Sequence, residues 1–249
     1  MTDRVRRAIQ VLKCFSTGSQ LGVSDISRLL GCPKAVVHRI LTALEQERFV
    51  EQDVVSRKYS IGLAAYELGL LYLSDHSPHS SAVAVLEALA KESGHTCYYA
   101  ILDGHDIVVL YLIEGTSPVQ VKARIGERLP AHATAMGKVL LASMPDEDLD
   151  AYLKTTELGY VSSNTLVDPD KLREEIRNVG VKGYGTSIEE LYPGTASVAV
   201  PVKTSVGRPQ GAVCASFPLY MQDLNTEIER LAVVLKTHVA GLQVVSAPR

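Results

Sequence analysis

The sequence predicts an α+β chain in two parts: a small helical head ending in a hairpin, and a larger body in which helices cover an antiparallel sheet. Three observations predict it. Apolar residues recur at helical spacing through the first 47 residues, broken by Gly and Pro. Two β-rich runs, 96–102 and 107–113, flank Asp103-Gly104, a strong hairpin signal. Two more, 195–202 and 211–217, flank Val206-Gly207-Arg208-Pro209, with helical stretches between and after these pairs.

In the head, Val5, Ala8/Ile9, Leu12 and Phe15 predict a first amphipathic helix over 4–15, broken by Thr17-Gly18-Ser19. Ser24 is placed to cap a second helix through its hydroxyl. That helix buries Ile26, Leu29 and Leu30 and ends at Gly31, which takes positive φ without penalty. Pro33 suits the first turn of a third helix, where its missing N–H is not needed. This helix runs to about Glu47, with Val37, Ile40/Leu41 and Leu44 inward and Lys34, Ala35, His38, Arg39 and Thr42 on the opposite face. Phe49-Val50 and Tyr59-Ser60-Ile61 predict two short strands around the polar tip 52–58. A helix-turn-helix followed by such a hairpin is a winged helix. An apolar-rich helix over 63–73 follows, then a polar break at 75–81, where the head ends.

The body begins with a helix over 82–92 and the first hairpin, and 119–125 is expected to add a third strand. Helices are expected over 129–142, 146–153 and 169–179. The second hairpin comes next, and a helix over 224–244 closes the chain.

The chain has 249 residues and is 46% hydrophobic, enough for a sizeable core. No apolar run is long enough to span a bilayer, and the start MTDRVRRAIQ lacks the apolar core of a signal peptide, so a cytoplasmic location is expected. Four scattered cysteines without a CxxC pair suggest neither a zinc site nor a disulfide framework, and no cofactor is expected. Net charge is −3, which argues against a wholly basic nucleic-acid binder. Residues 1–76, however, carry ten Lys/Arg against eight Asp/Glu, and the remainder fifteen against twenty. A slightly basic head on an acidic body fits a modular protein.

Lys34, His38 and Arg39 sit on the exposed start and outer face of the third helix, the part that enters the major groove in helix-turn-helix docking. Arg39 suits phosphate or guanine, Lys34 phosphate, and Arg57 and Lys58 at the wing tip suit phosphate or the minor groove. Each charge alone reads as a solvated surface group; the set favours double-stranded DNA.

The run RVRRAIQVLKCFS…GVSDISRLLGCPKAVVHRILTALEQERFVEQ…SRKYSIG resembles the N-terminal domain of the IclR family of bacterial transcriptional regulators. The resemblance continues in order through LPAHATAMGKVLLA, GYGTSIEELYPGTASVAVPV and GAVCASF. It implies a winged helix-turn-helix over 4–64, a linker helix over 65–78 and a GAF-like effector-binding domain over 79–249. It also implies a homodimer or dimer of dimers, a small organic acid effector, and DNA contacts by Ser24, Lys34, Ala35, Val36, His38, Arg39, Thr42, Arg57 and Lys58. The family commonly has Ser-Thr where this chain has Ala35-Val36. Two hydroxyls are gone, while apolar side chains able to meet a thymine methyl remain, so a divergent operator is expected.

The stretch LPAHATAMGKVLLA also admits a catalytic reading. A phosphate loop needs a glycine five residues before Gly137 and Ser/Thr after Lys138; the chain has His132 and Val139. No GxSxG elbow is present. His76 and His79 lie in the polar break and read as solvated, not metal-binding, and Cys97 and Cys214 read as buried and inert. Thr134, by contrast, can cap a helix whose first turn of Ala135, Met136 and Gly137 leaves N–H groups open to an anion. Cys214 and Ser216, two apart on a strand, point to one face. The family resemblance implies an effector pocket of Val121, Leu129, Ala135, Met136, Gly137, Ser187, Ser197, Cys214 and Ser216, and a structural loop role for His132; Lys138, past the first turn, is expected to point away from the N–H cluster in a structural role. Relatives that bind small hydrophilic acids tend to show an Asp, a Cys and two serines where this chain has Ser187, Ser197, Cys214 and Ser216. The less charged set suggests a larger or less polar acid, such as an aromatic one. Two other classes remain open: a small-molecule enzyme with an appended DNA-binding head, and a redox sensor acting through Cys97 or Cys214.

Overall fold

The computed structural model describes residues 2–76, 79–117, 123–203, 209–219 and 223–240. The chain forms two compact units, Met1–Ser77 and Pro78–Arg249.

The first unit is built from α1 (Thr2–Cys14), a 3-10 turn over Phe15–Thr17, α2 (Val23–Leu30), α3 (Lys34–Gln46), the hairpin β1 (Val50–Gln52) and β2 (Tyr59–Ile61), and α4 (Leu63–His76). Its core gathers Val11, Phe15, Ile26, Val37, Leu41, Val50 and Tyr59 from all elements up to the hairpin. The inward face of α1 differs from the expected one. Val11 and Cys14 are buried with Phe15, whereas Val5 and Ile9 are 60% and 50% exposed. Leu29 also faces outward, because α2 meets the core along the face of Val23, Ile26 and Leu30. Gly31 has φ +59°, the left-handed geometry that ends α2 and lets α3 cross it. Pro33 precedes α3 and is not part of its first turn.

The second unit opens with α5 (His79–Ser93), which begins three residues earlier than expected, inside the predicted break. The strands are β3 (Thr96–Asp103), β4 (Asp106–Ile113), β5 (Arg128–Pro130), β6 (Gly185–Ile188), β7 (Thr195–Lys203) and β8 (Pro209–Pro218). They form one antiparallel sheet in the order β5-β4-β3-β8-β7-β6. The first and last hairpins therefore meet at the sheet centre, through β3 and β8. The helices α6 (Ala135–Leu141), α7 (Asp146–Thr155) and α8 (Pro169–Lys182) share a core with Tyr98, Ala100, Ala199 and Cys214 of the sheet. The alternate residues Cys97, Tyr99, Val213 and Ala215 are buried outside that cluster, and α5 and α9 (Leu224–Ala240) pack on the same strands.

Two expectations are corrected here. The stretch 129–142 is not one helix. Leu129 and Pro130 belong to β5, a 3-10 turn spans Ala131–Ala133, and the helix starts at Ala135. Pro130 cannot donate a helical hydrogen bond, and Leu129 pairs with Ile107 instead. Residues 123–125 are not strand, and the rest of the expected third strand lies outside the described residues, as do the second hairpin's turn at 206–208 and the helix beyond 240. The two edge strands, β5 and β6, were not foreseen.

Candidate functional site

Two surfaces carry chemistry, one in each unit. In the first, Lys34, Ala35, His38 and Arg39 are exposed along one face of α3, with Val36 and Thr42 half-buried beside them. The Thr42 hydroxyl donates to the His38 carbonyl at 3.0 Å. Arg39 also lines a groove between α1 and α3 with Arg4 and Arg7, two cations the sequence reading did not single out. Ser24 is exposed but does not cap α2. The helix begins at Val23, so Ser24 already lies inside its first turn. The Gly22 N–H is bonded by the Asp25 carboxylate at 3.0 Å, which also complements the positive helix end.

The wing tip is organised by one carboxylate. Asp53 accepts hydrogen bonds from the Ser56 N–H (2.6 Å), the Ser56 hydroxyl (2.7 Å) and the Val55 N–H (3.2 Å). These bonds, that of the Ser56 backbone foremost, hold its carboxyl below the usual aspartate range. Arg57 takes φ +57°, and its carbonyl accepts from the Gln52 side chain at 3.0 Å. The turn thus presents Arg57 and Lys58 to solvent beside Val54 and Val55, which are 81% and 88% exposed.

In the second unit, a small cavity opens between the sheet and the start of α6. Its lining includes Leu129, Ala135, Met136, Ser187, Ser197, Cys214 and Ser216. Strand register explains the serines. Ser187 pairs with Ser197 and Ser197 with Ser216, so the three form a row across β6, β7 and β8. The Ser197 and Ser216 hydroxyls are 2.7 Å apart, and the Cys214 sulfur is 3.7 Å from the Ser216 oxygen. Ser187 donates to the Ala133 carbonyl at 2.9 Å. Thr134 caps α6 by accepting from the Gly137 N–H at 3.0 Å. Among the described residues, the Ala135 and Met136 N–H groups have no acceptor.

One expected member is not on the wall, and a second is not among the described residues. Val121 lies outside the described residues. Gly137 faces away from the cavity, and a Cβ there would collide with the backbone of Ala131. Its missing side chain lets the 3-10 turn fold back onto α6; it does not leave room for a ligand.

The lining also contains Tyr98, Ala123, Leu191, Tyr192 and Thr195, which the sequence reading missed. Strand alternation could have placed Tyr98 on a buried face, but only the pairing of β3 with β8 sets it beside Cys214. Leu191 and Tyr192 sit in an irregular segment with no periodic signal. The described lining holds no carboxylate, imidazole or amine. Burial pushes the thiols of Cys97 and Cys214 up to about 12, which leaves little nucleophilic thiolate at neutral pH. Among the described residues no cluster of His, Cys, Asp or Glu is arranged to hold a metal, and no helix is long and apolar enough to cross a membrane.

His132 and Lys138 lie off the cavity wall and are buried. His132 Nε2 lies 3.0 Å from the Gly159 carbonyl, which can only accept, so this nitrogen carries the proton. Burial lowers the pKa of the ring, so it is neutral at pH 7. The Lys138 ammonium donates to Glu190 Oε1 at 2.6 Å and to the Thr186 carbonyl at 3.2 Å.

Both units match known domains. Residues 5–54 match the IclR helix-turn-helix domain and residues 71–240 match the bacterial transcriptional regulator IclR C-terminal domain. The chain is 34% identical over 198 residues to the HTH-type transcriptional regulator KipR of Bacillus subtilis, covering 80% of this chain and 79% of that one. An IclR transcriptional regulator from Alicyclobacillus acidocaldarius superposes with a TM-score of 0.83 at 26% identity, covering 96% of each chain. An IclR homologue from Microbacterium hydrocarbonoxydans, solved with 4-hydroxybenzoate, gives a TM-score of 0.80 over 96% of this chain and all of that one. At 24% identity, this last likeness speaks for the fold alone. The chain belongs to the IclR family of bacterial transcriptional regulators and is a DNA-binding regulator of transcription.

Proposed function

We propose that this regulator binds a small organic acid in the cavity between the sheet and α6, and that the bound acid changes its affinity for operator DNA. The observation that carries this reading is the composition of the cavity. Free N–H groups at Ala135 and Met136 and the hydroxyls of Ser197 and Ser216 supply hydrogen bonds for one carboxylate. Tyr98, Leu129, Met136, Leu191 and Tyr192 supply apolar and aromatic walls, with no charged side chain among the described lining. A monoacid with an apolar or aromatic body fits this set better than a small diacid. The 4-hydroxybenzoate held by the Microbacterium homologue is of that type.

The head reads DNA through the face of α3 from Lys34 to Thr42, with Ser24, Arg57 and Lys58 toward the phosphates. One recognition helix covers too little surface for tight specific binding, so a dimer on paired half-sites is the working form, located in the cytoplasm. The exposed apolar residues of α4, including Leu68 and Leu71, are suited to such pairing. A calorimetric screen of aliphatic and aromatic monoacids, 4-hydroxybenzoate among them, tests the pocket. Saturable binding without turnover is expected. Consumption of the acid would favour an enzyme, and no binding by any monoacid would remove the effector reading.

A further inference from the structure

We infer that Lys138 is a positioning residue for the effector cavity: its ammonium locks the rim segment carrying Leu191 and Tyr192 onto helix α6. The inference rests on the effector reading for its purpose, but not for its geometry. Lys138 is 1% exposed, so its charge needs partners inside the protein. Its ammonium donates to Glu190 Oε1 at 2.6 Å and to the Thr186 carbonyl at 3.2 Å, and Glu175 Oε1 lies at ion-pair distance, 3.8 Å. Each lies on a different part of the cavity's frame. Thr186 precedes the lining residue Ser187 on β6. Glu190 precedes Leu191 and Tyr192. Glu175 belongs to α8. Lys138 itself lies one turn past Ala135 and Met136 on α6.

The rim is an irregular segment between two strands. It leaves β6 at Glu189 with φ +55° and rejoins β7 after Gly194 with φ +73°, so both ends take left-handed geometry. The Glu189 N–H is bonded to the Thr195 carbonyl at 2.8 Å, and the Gly194 N–H to the Glu189 carboxylate at 2.8 Å. These bonds close the loop on itself, and the Thr165 hydroxyl, donating to the Glu190 carbonyl at 2.7 Å, and the Ser162 hydroxyl, donating to the Glu189 carbonyl, tie its start to the segment before α8; the polar tie to α6 is the Lys138–Glu190 pair. An apolar pair of similar volume would pack as well, and a buried ion pair is a weak source of net stability. What it adds is direction, because the ammonium must face its acceptors.

The test is amide hydrogen exchange on the full chain without ligand. In Glu190→Gln, and in the double variant Lys138→Met/Glu190→Leu, amides of residues 189–195 should exchange roughly tenfold faster or more, while β3 and β8 keep parental protection. The double variant serves where the single one does not fold, because it removes both charges together. It should melt near the parental temperature and still show a loosened rim. Parental protection of the rim in the double variant would overturn the inference, as would a uniform rise across the whole unit in both variants. The measurement needs no acid, so its failure is separate from failure of the monoacid screen.

Discussion

At the scale of single residues, small groups decide what the cavity can do. Ser197 and Ser216 share a hydrogen bond across two strands, and each keeps further capacity for a ligand. Replacing Ser216 with alanine should weaken monoacid binding by about 1 kcal/mol, roughly fivefold, by calorimetry. Operator affinity of the ligand-free protein should not change, and equal acid affinity in the variant would place the ligand elsewhere. Gly137 gives the opposite kind of prediction. A methyl group there meets the Ala131 backbone, so Gly137→Ala should cost about 1–3 kcal/mol of stability in thermal unfolding. An unchanged melting temperature would mean that the 3-10 turn moves aside easily. From sequence, Gly137 looked like a residue that keeps a ligand site open; the fold uses its missing side chain for backbone packing.

At the scale of elements, α3 and the wing make separable contributions. Arg39 lies on the exposed face of α3, and Arg39→Ala should weaken binding to the intergenic DNA beside the gene by about 1–3 kcal/mol in gel shifts. Arg57 lies on the wing turn held by Asp53, away from the recognition helix. Arg57→Ala should weaken binding to all duplexes alike and lower the slope of log affinity against log salt by about one. A sequence-selective loss without a change in slope would assign Arg57 to base reading instead. The helix-turn-helix was legible because its periodicity, Gly31 and Pro33 are local signals. The misplaced cap at Ser24 shows the limit: a start two residues earlier turns a capping residue into an ordinary first-turn one.

At the scale of the whole molecule, control is a coupling between two sites, and it must be reciprocal. If a monoacid lowers operator affinity by some factor, saturating operator should lower acid affinity by the same factor in calorimetry. Unequal factors at equilibrium would mean that a further species is involved. The second unit's stability also depends on pH through Glu227. Burial raises this carboxyl, but hydrogen bonds from Arg230 (2.6 and 2.8 Å) and His95 (2.8 Å) outweigh it, so the folded pKa lies below the usual 4.5. A lowered folded value means that its stabilisation is present above 4.5 and is lost as pH falls through the folded value. The melting temperature of Glu227→Gln should therefore lie below that of the parent at neutral pH, and the gap should narrow on acidification below 4.5. A constant gap would indicate that the glutamate contributes by shape and not by charge.

The sequence by itself determined what depends on neighbours in the chain: helix periods, the first hairpin of the body (though its turn is Gly104-His105, since Asp103 pairs with Asp106), the Thr134 cap, and the shared face of Cys214 and Ser216. These follow from backbone geometry over a few residues. Only the tertiary structure decided what depends on register and on contacts between distant segments. The pairing of β3 with β8 brings Tyr98 to Cys214, and that of β6 with β7 brings Ser187 to Ser197. The irregular segment after β6 brings Leu191, Tyr192 and Glu190 to α6. Lys138 follows Gly137 in a stretch that has the Gly-Lys pair of a phosphate loop but not its other residues. Its partner is 52 residues away, and no local pattern could have named it.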